Sequence, residues 1–420
     1  MNEAIVLEKF VHGGQAIATL ADGRKVFVWG GLPGEKVRIQ LTKKKKSWAE
    51  GIVTEVLEPS SERVDPNDPS TFLATSPWQI VDFKAENKYK KQILEEHFAF
   101  AKVELPDFEF VAGGSDYHYR NKMEYSFWAD DDGLHLALYN RGSHLKMIVE
   151  GSSIAMPEID TAAQDLLHEL NVHKIEGRQL KTIILRATQK GEVAAALFTK
   201  DEKFPEVEMP TSLQGLRVYY SNPKSPASVM TKLLYEQGTA ELADTILGKK
   251  FVYDVDSFFQ VNVPIYEKAL QKMQEFVSDD EHIVDMYAGV GTIGLSLGRA
   301  SELVEIDPAT AAMARRNAVG RAEVIETSTE KALDYITPDR TIIFDPPRAG
   351  LHEKVVERLL DVQPKKILYL SCNPATQARD LGLLQEKYKI TFFEGYNFFP
   401  HTPHIESLAV LTSEIVSEEH

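Results

Sequence analysis

The chain has 420 residues, 43% of them hydrophobic, and at roughly 150 residues per domain this length indicates about three domains. The N-terminus lacks a signal-peptide pattern and no apolar run approaches the roughly 20 residues that span a bilayer, so we expect a cytoplasmic protein without membrane segments. The single cysteine, Cys372, excludes an internal disulfide and an iron–sulfur cluster held by cysteines alone.

The overall charge does not decide whether the protein binds nucleic acid. The net charge of -16, from 47 basic and 63 acidic residues, argues against such a partner, because neutralisation of phosphates drives the binding. Lysines nevertheless cluster locally, at residues 43–46 and again between residues 84 and 91. Each cluster fits a solvated loop or helix face as well as an RNA-binding patch, so an RNA partner stays open.

The first sixty residues contain short strand-like segments separated by turn signals such as GG, ADG and LPGE. This pattern indicates a small β-barrel over residues 1–60. Barrels of this size often bind single-stranded nucleic acid, and Trp48 beside the lysine run offers a ring for base stacking. Trp48 fits equally well as a residue that covers one end of the barrel.

The rest of the chain divides into a central and a C-terminal region. Residues 61–245 predict a linker rich in Pro, Ser and Asp, and then a central α+β domain that begins with the amphipathic helix AENKYKKQILEEHFAF. From about residue 280 strands and helices alternate, which indicates a parallel sheet covered on both faces. We therefore expect a multidomain protein with a Rossmann-like α/β domain over residues 246–420, whose ligands bind beyond the carboxyl ends of the strands.

A glycine loop follows the first apolar strand of this α/β domain. Residues 285–292 read DMYAGVGT and precede a helical pattern, and Glu305 ends the next strand. Glycines let the backbone approach a ligand, and a carboxylate on the second strand can accept hydrogen bonds from ribose hydroxyls. The pattern indicates a nucleoside-cofactor site. Taken alone, it also fits a nicotinamide enzyme or a structural turn between strand and helix.

Two further strand ends carry reactive side chains. Asp345 follows the strand TIIF, and two prolines after it fix the backbone, so its carboxylate could bind a cofactor or a base edge, or only cap a helix. Cys372 lies in SCNP, between the strand KKILYL and a helix. We expect this position to lower the pKa of the thiol, because exposed amides and the helix dipole stabilise a thiolate. The alternative is an inert cysteine in the core.

The segment PHTPHIE precedes the last strand. If that strand runs antiparallel to its neighbours, Glu406 lies beside Cys372 and Asp345 at the same edge of the sheet. His401, His404 and Glu406 could instead suggest a metal site. We expect no metal, because Pro403 prevents the helix that would align the two histidines.

Together with FFQVN at residues 258–262, these motifs resemble the RNA uracil-5 methyltransferase family, whose members carry FFQVN, a glycine loop, DPPR, SCNP and a final histidine and glutamate segment in this order. The N-terminal segment, which includes LPGEKV, is similar to the TRAM domain of many of these enzymes, and YRNKMEYSF resembles their central domain. The resemblance covers nearly the whole chain. It departs at DPNDPSTFLATSPWQIVDF, where many members have a cysteine-rich iron–sulfur motif, and no such cluster is expected here.

The resemblance implies an enzyme that makes 5-methyluridine with S-adenosylmethionine. It implies that Cys372 is the nucleophile, that Glu406 removes the proton, and that the cofactor is bound by Gln260, Tyr287, Thr292, Glu305, Ser328 and Asp345. The barrel and the central domain would hold the RNA. We favour 23S ribosomal RNA as the substrate, with transfer RNA as the alternative, and we expect a monomer.

Three other functions compete with this one. An exocyclic-amine methyltransferase would also use the Asp-Pro-Pro motif but would not need Cys372. An RNA-binding protein could retain the cofactor fold without turnover, although intact Cys372 and Glu406 count against it. A nicotinamide oxidoreductase ranks last, because SCNP and FFQVN have no role in one.

Overall fold

The structure is a computed structural model that describes residues 3–141, 145–225, 227–278, 280–298 and 300–413. The chain falls into two compact units. The described residues of 1–93, 115–240 and 399–403 form the first unit, and those of 94–114, 241–398 and 404–420 form the second. None of the helices within these described ranges is both long enough and apolar enough to cross a bilayer.

The chain forms 23 strands and eight α-helices within the described residues. In chain order the strands are β1 Glu3–Val6, β2 Lys9–Phe10, β3 Ala16–Thr19, β4 Lys25–Trp29, β5 Lys36–Lys44, β6 Trp48–Glu58, β7 Phe110–Val111, β8 Lys122–Asp130, β9 Gly133–Tyr139, β10 Lys146–Ile148, β11 Leu180–Ala187, β12 Val193–Thr199, β13 Gly215–Tyr220, β14 Lys232–Gly238, β15 Glu241–Ile246, β16 Lys249–Asp254, β17 His282–Asp285, β18 Ala300–Glu305, β19 Glu323–Glu326, β20 Arg340–Phe344, β21 Lys366–Ser371, β22 Tyr388–Tyr396 and β23 Glu406–Ser413. The helices are α1 Phe72–Thr75, α2 Phe83–Phe100, α3 Pro157–Val172, α4 Val263–Gln274, α5 Thr292–Ser296, α6 Pro308–Ala318, α7 Glu353–Val362 and α8 Pro374–Leu384.

The N-terminal part of the first unit is a six-stranded sheet with the order β1-β5-β6-β4-β3-β2. Its neighbouring strands are antiparallel except for β4 and β6, which are parallel. Side chains alternate between core and solvent along the strands, so that Val26 and Val28 are buried while Lys25 is exposed. This alternation is the physical basis of the strand predictions for residues 1–60, and the predicted strands are confirmed.

Polar contacts and one buried indole hold the segment DPNDPSTFLATSPWQIVDF at residues 65–83. The Asp68 carboxylate accepts hydrogen bonds from Gln79 Nε2 and Ser153 Oγ, each at 2.8 Å. The ring of Trp78 is 1% exposed, and its Nε1 donates to the carbonyl oxygen of Gly14 at 2.9 Å. Ordinary side-chain packing therefore fixes this stretch. The helix predicted just after it is confirmed as α2.

The remainder of the first unit contains a seven-stranded sheet with the order β10-β9-β8-β11-β12-β13-β14. Helix α3 packs its apolar face on this sheet, so that Leu166 and Leu170 share one core with Tyr125, Leu185 and Val218. Only β12 and β13 are parallel; the other neighbours are antiparallel. The predicted mixture of helix and sheet in the central region is confirmed.

The second unit contains an eight-stranded sheet with the order β19-β18-β17-β20-β21-β23-β22-β7, and β15 and β16 form a separate hairpin. Strands β17 to β21 are parallel to one another, whereas β23 runs antiparallel to β21 and β22. Central strands such as β20 read as continuous apolar runs because both faces of the sheet are covered. The predicted α/β architecture is confirmed, and the domain boundaries at residues 60 and 245 stay predictions.

Candidate active site

The antiparallel pairing of β21 and β23 determines where the last motif lies. Ser371 at the end of β21 pairs with Ser407 near the start of β23. Cys372 follows Ser371, and Glu406 precedes Ser407, so the register places the thiol and the carboxylate opposite each other at the same edge of the sheet. The expected antiparallel final strand is confirmed, and with it the approach of Glu406 to Cys372.

The electrostatic environment of Cys372 differs from the one predicted. Partial burial and the negative charges of Glu406 and Asp345 raise the pKa of the thiol to about 12. The positive charge of Arg348 opposes this shift without reversing it. At the start of α8, the side chain of Asn373 accepts a hydrogen bond from the amide of Ala375. The expectation of a lowered pKa is therefore wrong, because burial and two carboxylates outweigh the helix dipole.

This environment predicts how the free protein reacts with alkylating agents. A thiol with a pKa of about 12 is ionised in roughly one molecule in 10⁵ at pH 7. Since the thiolate is the nucleophile, carbamidomethylation of native protein by iodoacetamide should accelerate about tenfold per pH unit between pH 7 and 9. It should stay far slower than in the unfolded chain. The only cysteine, Cys372, makes the mass shift unambiguous, and a rate that levels off near pH 7 would show a thiol with a low pKa instead.

Glu406 is the buried carboxylate of the site. It is 2% exposed, and its Oε2 has no hydrogen-bond partner among the described residues. Burial and the charge of Asp345 raise its pKa well above the ordinary value, and Arg348 opposes the shift. A carboxylate in these surroundings is a stronger base than glutamate in water, and it can accept a proton from a bound molecule.

Asp345 and Asp285 are two further carboxyl groups of the site. Burial and the charge of Asp285 raise the pKa of Asp345 to about 7. Burial also raises the pKa of Asp285 to about 7, while the amide of Gly294, at 2.9 Å from its Oδ2, favours the charged form. Two carboxyls with pKa values near neutrality, one at the end of β17 and the other just after β20, accept or release protons easily.

The glycine loop and Glu305 are joined by backbone hydrogen bonds. Glu305 Oε2 accepts from the amide of Gly289 at 3.0 Å, and Oε1 accepts from the amide of Asp307 at 2.7 Å. Gly289 has a φ of 56°, and a Cβ placed there would meet nothing within 4 Å. A carboxylate oxygen has two lone pairs, so Glu305 can still accept hydrogen bonds from two hydroxyls of a ligand beside this open loop.

Three other predicted cofactor residues, Tyr287, Thr292 and Ser328, lie in segments that follow β17 and β19. The ring of Tyr287 lies 6.3 Å from that of Phe344, measured between centroids. Thr292 begins α5, and its Oγ1 is 2.9 Å from the hydroxyl of Tyr266. Ser328 follows β19, next to Thr329, whose hydroxyl donates to the carbonyl oxygen of Met286 at 2.5 Å. The segment of Ser328 is thereby tied to the glycine loop.

Gln260 belongs to a buried segment that leads into α4. It is 7% exposed, and it lies two residues before Asn262, the residue that precedes α4. Asn262 Nδ2 donates to the carbonyl oxygen of Phe398 at 3.1 Å, which links this segment to the chain between β22 and β23. Phe258 is 66% exposed beside these buried residues, so an aromatic face of the FFQVN motif is open to a ligand.

Two residues near the site were not singled out from the sequence. The charge of Arg348 acts on both Cys372 and Glu406, and its Nη2 is 3.4 Å from His404 Nδ1. Its place in the DPPR motif was the signal that could have identified it. Tyr266 is buried on α4 and contacts Thr292, and only the folded chain reveals this contact.

The two histidines before Glu406 have different partners. His401 Nε2 is 3.2 Å from Asp116 Oδ2, and its Nδ1 is 3.6 Å from Glu86 Oε2, whereas His404 lies beside Arg348. Within the described ranges no three His, Cys, Asp or Glu side chains group as metal ligands would. We assign His401 to the packing of its loop because its ring nitrogens contact Asp116 and Glu86.

The sheet order, the glycine loop and the acidic end of β18 define a nucleoside-binding α/β fold. The family model described as tRNA (Uracil-5-)-methyltransferase matches residues 82–334 and 330–414, and that of the TRAM domain matches residues 3–54. The chain thus belongs to this uracil-5 methyltransferase family of RNA-modifying enzymes and carries an N-terminal TRAM domain. The family identified from the motifs is confirmed.

Similar proteins extend over the full chain. Proteins of Enterococcus faecalis and Thermotoga maritima, both described as uncharacterized RNA methyltransferases, are 32% and 28% identical, and the matches cover 98% or more of each chain. Among solved structures, the tRNA (uracil-54, C5)-methyltransferase of Pyrococcus abyssi in complex with S-adenosyl-L-homocysteine has a TM-score of 0.80 at 24% identity, covering 98% of this chain and 100% of its own. This likeness confirms the predicted fold.

Proposed function

We propose that the protein uses S-adenosylmethionine to methylate C5 of a uridine in RNA, through a covalent adduct between Cys372 and C6 of the base. The observation that carries the proposal is the pairing of Ser371 with Ser407, which sets the lone thiol opposite the buried carboxylate of Glu406. Methylation of uracil at C5 needs a nucleophile for C6 and a base for the C5 proton in one site. Methylation of an exocyclic amine needs neither the thiol nor the carboxylate beside it.

The residues at the strand ends fit an adenosyl cofactor. Glu305 retains lone pairs for ribose hydroxyls, and the open backbone at Gly289 allows a ligand to approach closely. We assign cofactor binding to the same six residues predicted from the sequence: Gln260, Tyr287, Thr292, Glu305, Ser328 and Asp345. When bound, S-adenosylmethionine supplies an electrophilic methyl group, which C5 takes up.

Cys372 opens the reaction by adding to C6. The thiol gives up its proton to solvent, and as Sγ bonds to C6 the C5–C6 π electrons move towards O4 of the base. In the free protein Glu406 and Asp345 disfavour a thiolate at this place. Addition moves the negative charge from sulfur onto the uracil ring, where it is delocalised towards O4, so the adduct does not require a stable thiolate beside these two carboxylates.

Glu406 ends the reaction by accepting the proton of C5. Once C5 carries the methyl group, removal of this proton restores the C5–C6 double bond, and the bond between Sγ and C6 breaks. The raised pKa of Glu406 gives its carboxylate the basicity for this step. Arg348, whose charge favours the ionised forms of both Glu406 and Cys372, keeps both groups able to lose their protons.

The RNA must present an unstacked uridine, which costs least in a loop. We propose that the TRAM domain and the central region hold the flanking nucleotides. Lys43 Nζ lies 4.9 Å from the ring centroid of Trp48 and 3.3 Å from Glu50 Oε1, so a cation and an aromatic ring lie together where the end of β5 meets the start of β6. We favour 23S ribosomal RNA over transfer RNA and propose that the enzyme acts as a monomer in the cytoplasm.

A substrate that traps the adduct tests this function. In RNA that contains 5-fluorouridine the C5 position holds fluorine, which Glu406 cannot remove as a proton, so the bond between Sγ and C6 persists. Incubation with S-adenosylmethionine and fluorinated ribosomal or transfer RNA should give a protein band of reduced mobility on a denaturing gel. The RNA that produces the band identifies the substrate class. Absence of a band with both RNAs, in protein shown to bind S-adenosylhomocysteine, would contradict the thiolate reaction.

A further inference from the structure

Tyr266 lies inside the second unit with its hydroxyl directed at a predicted cofactor residue. It is 1% exposed on α4, and its ring packs edge-on against Phe398, with 6.0 Å between centroids. Its hydroxyl oxygen is 2.9 Å from Thr292 Oγ1. Burial raises the pKa of Tyr266 well above its ordinary value, and the negative charges of Asp345, Asp285 and Glu406 add to this shift, so Tyr266 lies near the acidic groups of the site.

The hydroxyls of Tyr266 and Thr292 share one hydrogen bond, and the surroundings of each hydroxyl indicate which of them is the donor. Among the described residues, Thr292 provides the one hydrogen-bond partner of the Tyr266 hydroxyl. A buried donor proton without an acceptor is costly, so the tyrosine proton goes to Thr292 Oγ1. The proton of Thr292 then has no acceptor among the described residues, and because Thr292 is partly exposed, this proton can be donated to a ligand.

This arrangement orients a donor towards a ligand. If Tyr266 were phenylalanine, the hydroxyl of Thr292 could rotate and would lose its fixed direction. The ribose hydroxyls of an adenosyl amino acid already have an acceptor in Glu305. The strongest acceptor that such a ligand still offers is the carboxylate of its amino-acid part, and a hydrogen bond to a charged acceptor is stronger than one to a neutral group.

We propose that Tyr266 is a positioning residue for the cofactor, which holds the Thr292 hydroxyl so that it donates to the carboxylate of the amino-acid moiety. The proposal rests on the function proposed above, because it assumes an adenosyl amino acid as the ligand. Tyr266 touches neither the RNA base nor the reacting atoms in this scheme. Its removal should therefore weaken cofactor binding and leave the turnover of saturated enzyme nearly unchanged.

The test is a titration calorimetry series with S-adenosylhomocysteine and with 5′-methylthioadenosine, which lacks the amino-acid part. Tyr266→Phe should raise the Kd for S-adenosylhomocysteine by about five- to tenfold, less than the roughly 10- to 100-fold expected for loss of a hydrogen bond to a charged group, because the Thr292 hydroxyl is kept and only its fixed direction is lost. It should leave the Kd for methylthioadenosine unchanged. In kinetics the KM for S-adenosylmethionine should rise by the same factor at constant kcat.

Two variants control the test. Tyr388 is 2% exposed in β22 and donates to the carbonyl oxygen of Leu359 at 3.2 Å, at the opposite edge of the sheet, so Tyr388→Phe should bind like the wild type. Thr292→Val should weaken S-adenosylhomocysteine binding itself, and adding Tyr266→Phe to it should have no further effect. Thermal unfolding of each variant shows whether it is folded.

The outcomes separate the two proposals. Failure of the wild type to bind S-adenosylhomocysteine would contradict the proposed function as well. Normal wild-type binding together with an unchanged Kd for folded Tyr266→Phe would overturn the role of Tyr266 alone. An equal rise in the Kd for methylthioadenosine would also overturn the proposed role of Tyr266, because the acceptor of the Thr292 hydrogen bond would then belong to the nucleoside.

Discussion

Replacement of Cys372 by alanine is expected to lower the rate of RNA methylation by at least roughly 10⁴-fold, the scale on which loss of a covalent nucleophile acts. The protein has no second cysteine to take over. Without addition at C6, C5 of uracil stays too weak a nucleophile to accept the methyl group. The measurement is transfer of radiolabelled methyl groups from S-adenosylmethionine to RNA, and the gel with 5-fluorouridine RNA should show no shifted band.

The same variant should keep its fold and its cofactor. The side chain at position 372 is only partly buried, so a small residue there leaves the core intact. S-adenosylhomocysteine binding within about twofold of the wild type and an unchanged unfolding temperature provide the control. If Cys372→Ala still methylates RNA at a rate near that of the wild type, the thiol is not the nucleophile and an exocyclic amine becomes the better target.

Replacement of Glu406 by glutamine should have the opposite effect on the adduct. The amide cannot accept the C5 proton, and general bases contribute typically about 10²–10⁴-fold, so turnover should fall by that factor. Addition through Cys372 and methyl uptake remain possible. Methylated RNA attached to the protein should therefore accumulate even with ordinary uridine, as a band of reduced mobility that carries the radiolabel.

A second buried glutamate provides the matched control for this experiment. Glu394 lies in β22 of the same sheet, is 9% exposed, and accepts a hydrogen bond from the hydroxyl of Tyr396. Its register partner is Leu408, two residues beyond Glu406 along β23. Glu394→Gln should turn over like the wild type without a stable adduct. Fast turnover by folded Glu406→Gln would show that another group accepts the C5 proton, and Asp345 would be the first candidate.

The sequence determined the local parts of this molecule. Alternation of apolar and polar side chains predicts the strands of residues 1–60, and the amphipathic pattern before residue 100 predicts α2, because both depend on neighbours along the chain. The glycine loop, Glu305, Asp345 and Cys372 could be placed at strand ends for the same reason. Parallel strands end at one edge of a sheet, so their side chains were expected to meet.

Only the tertiary structure decided which side chains meet at this edge of the sheet and how acidic they are. The pairing of Ser371 with Ser407 brings Glu406 to Cys372 across a separation of 34 residues, and no local pattern specifies that register. The pKa of Cys372 follows from burial and from charges at the ends of other strands, so the dipole of α8 predicted the wrong direction for its shift. Likewise β7, at Phe110–Val111, joins the edge of the C-terminal sheet although it lies far outside residues 246–420. Strand pairing, burial and charge depend on residues that are distant in the chain. The sequence alone therefore identifies the side chains of the site, whereas the folded chain determines which of them lie together and how their pKa values shift.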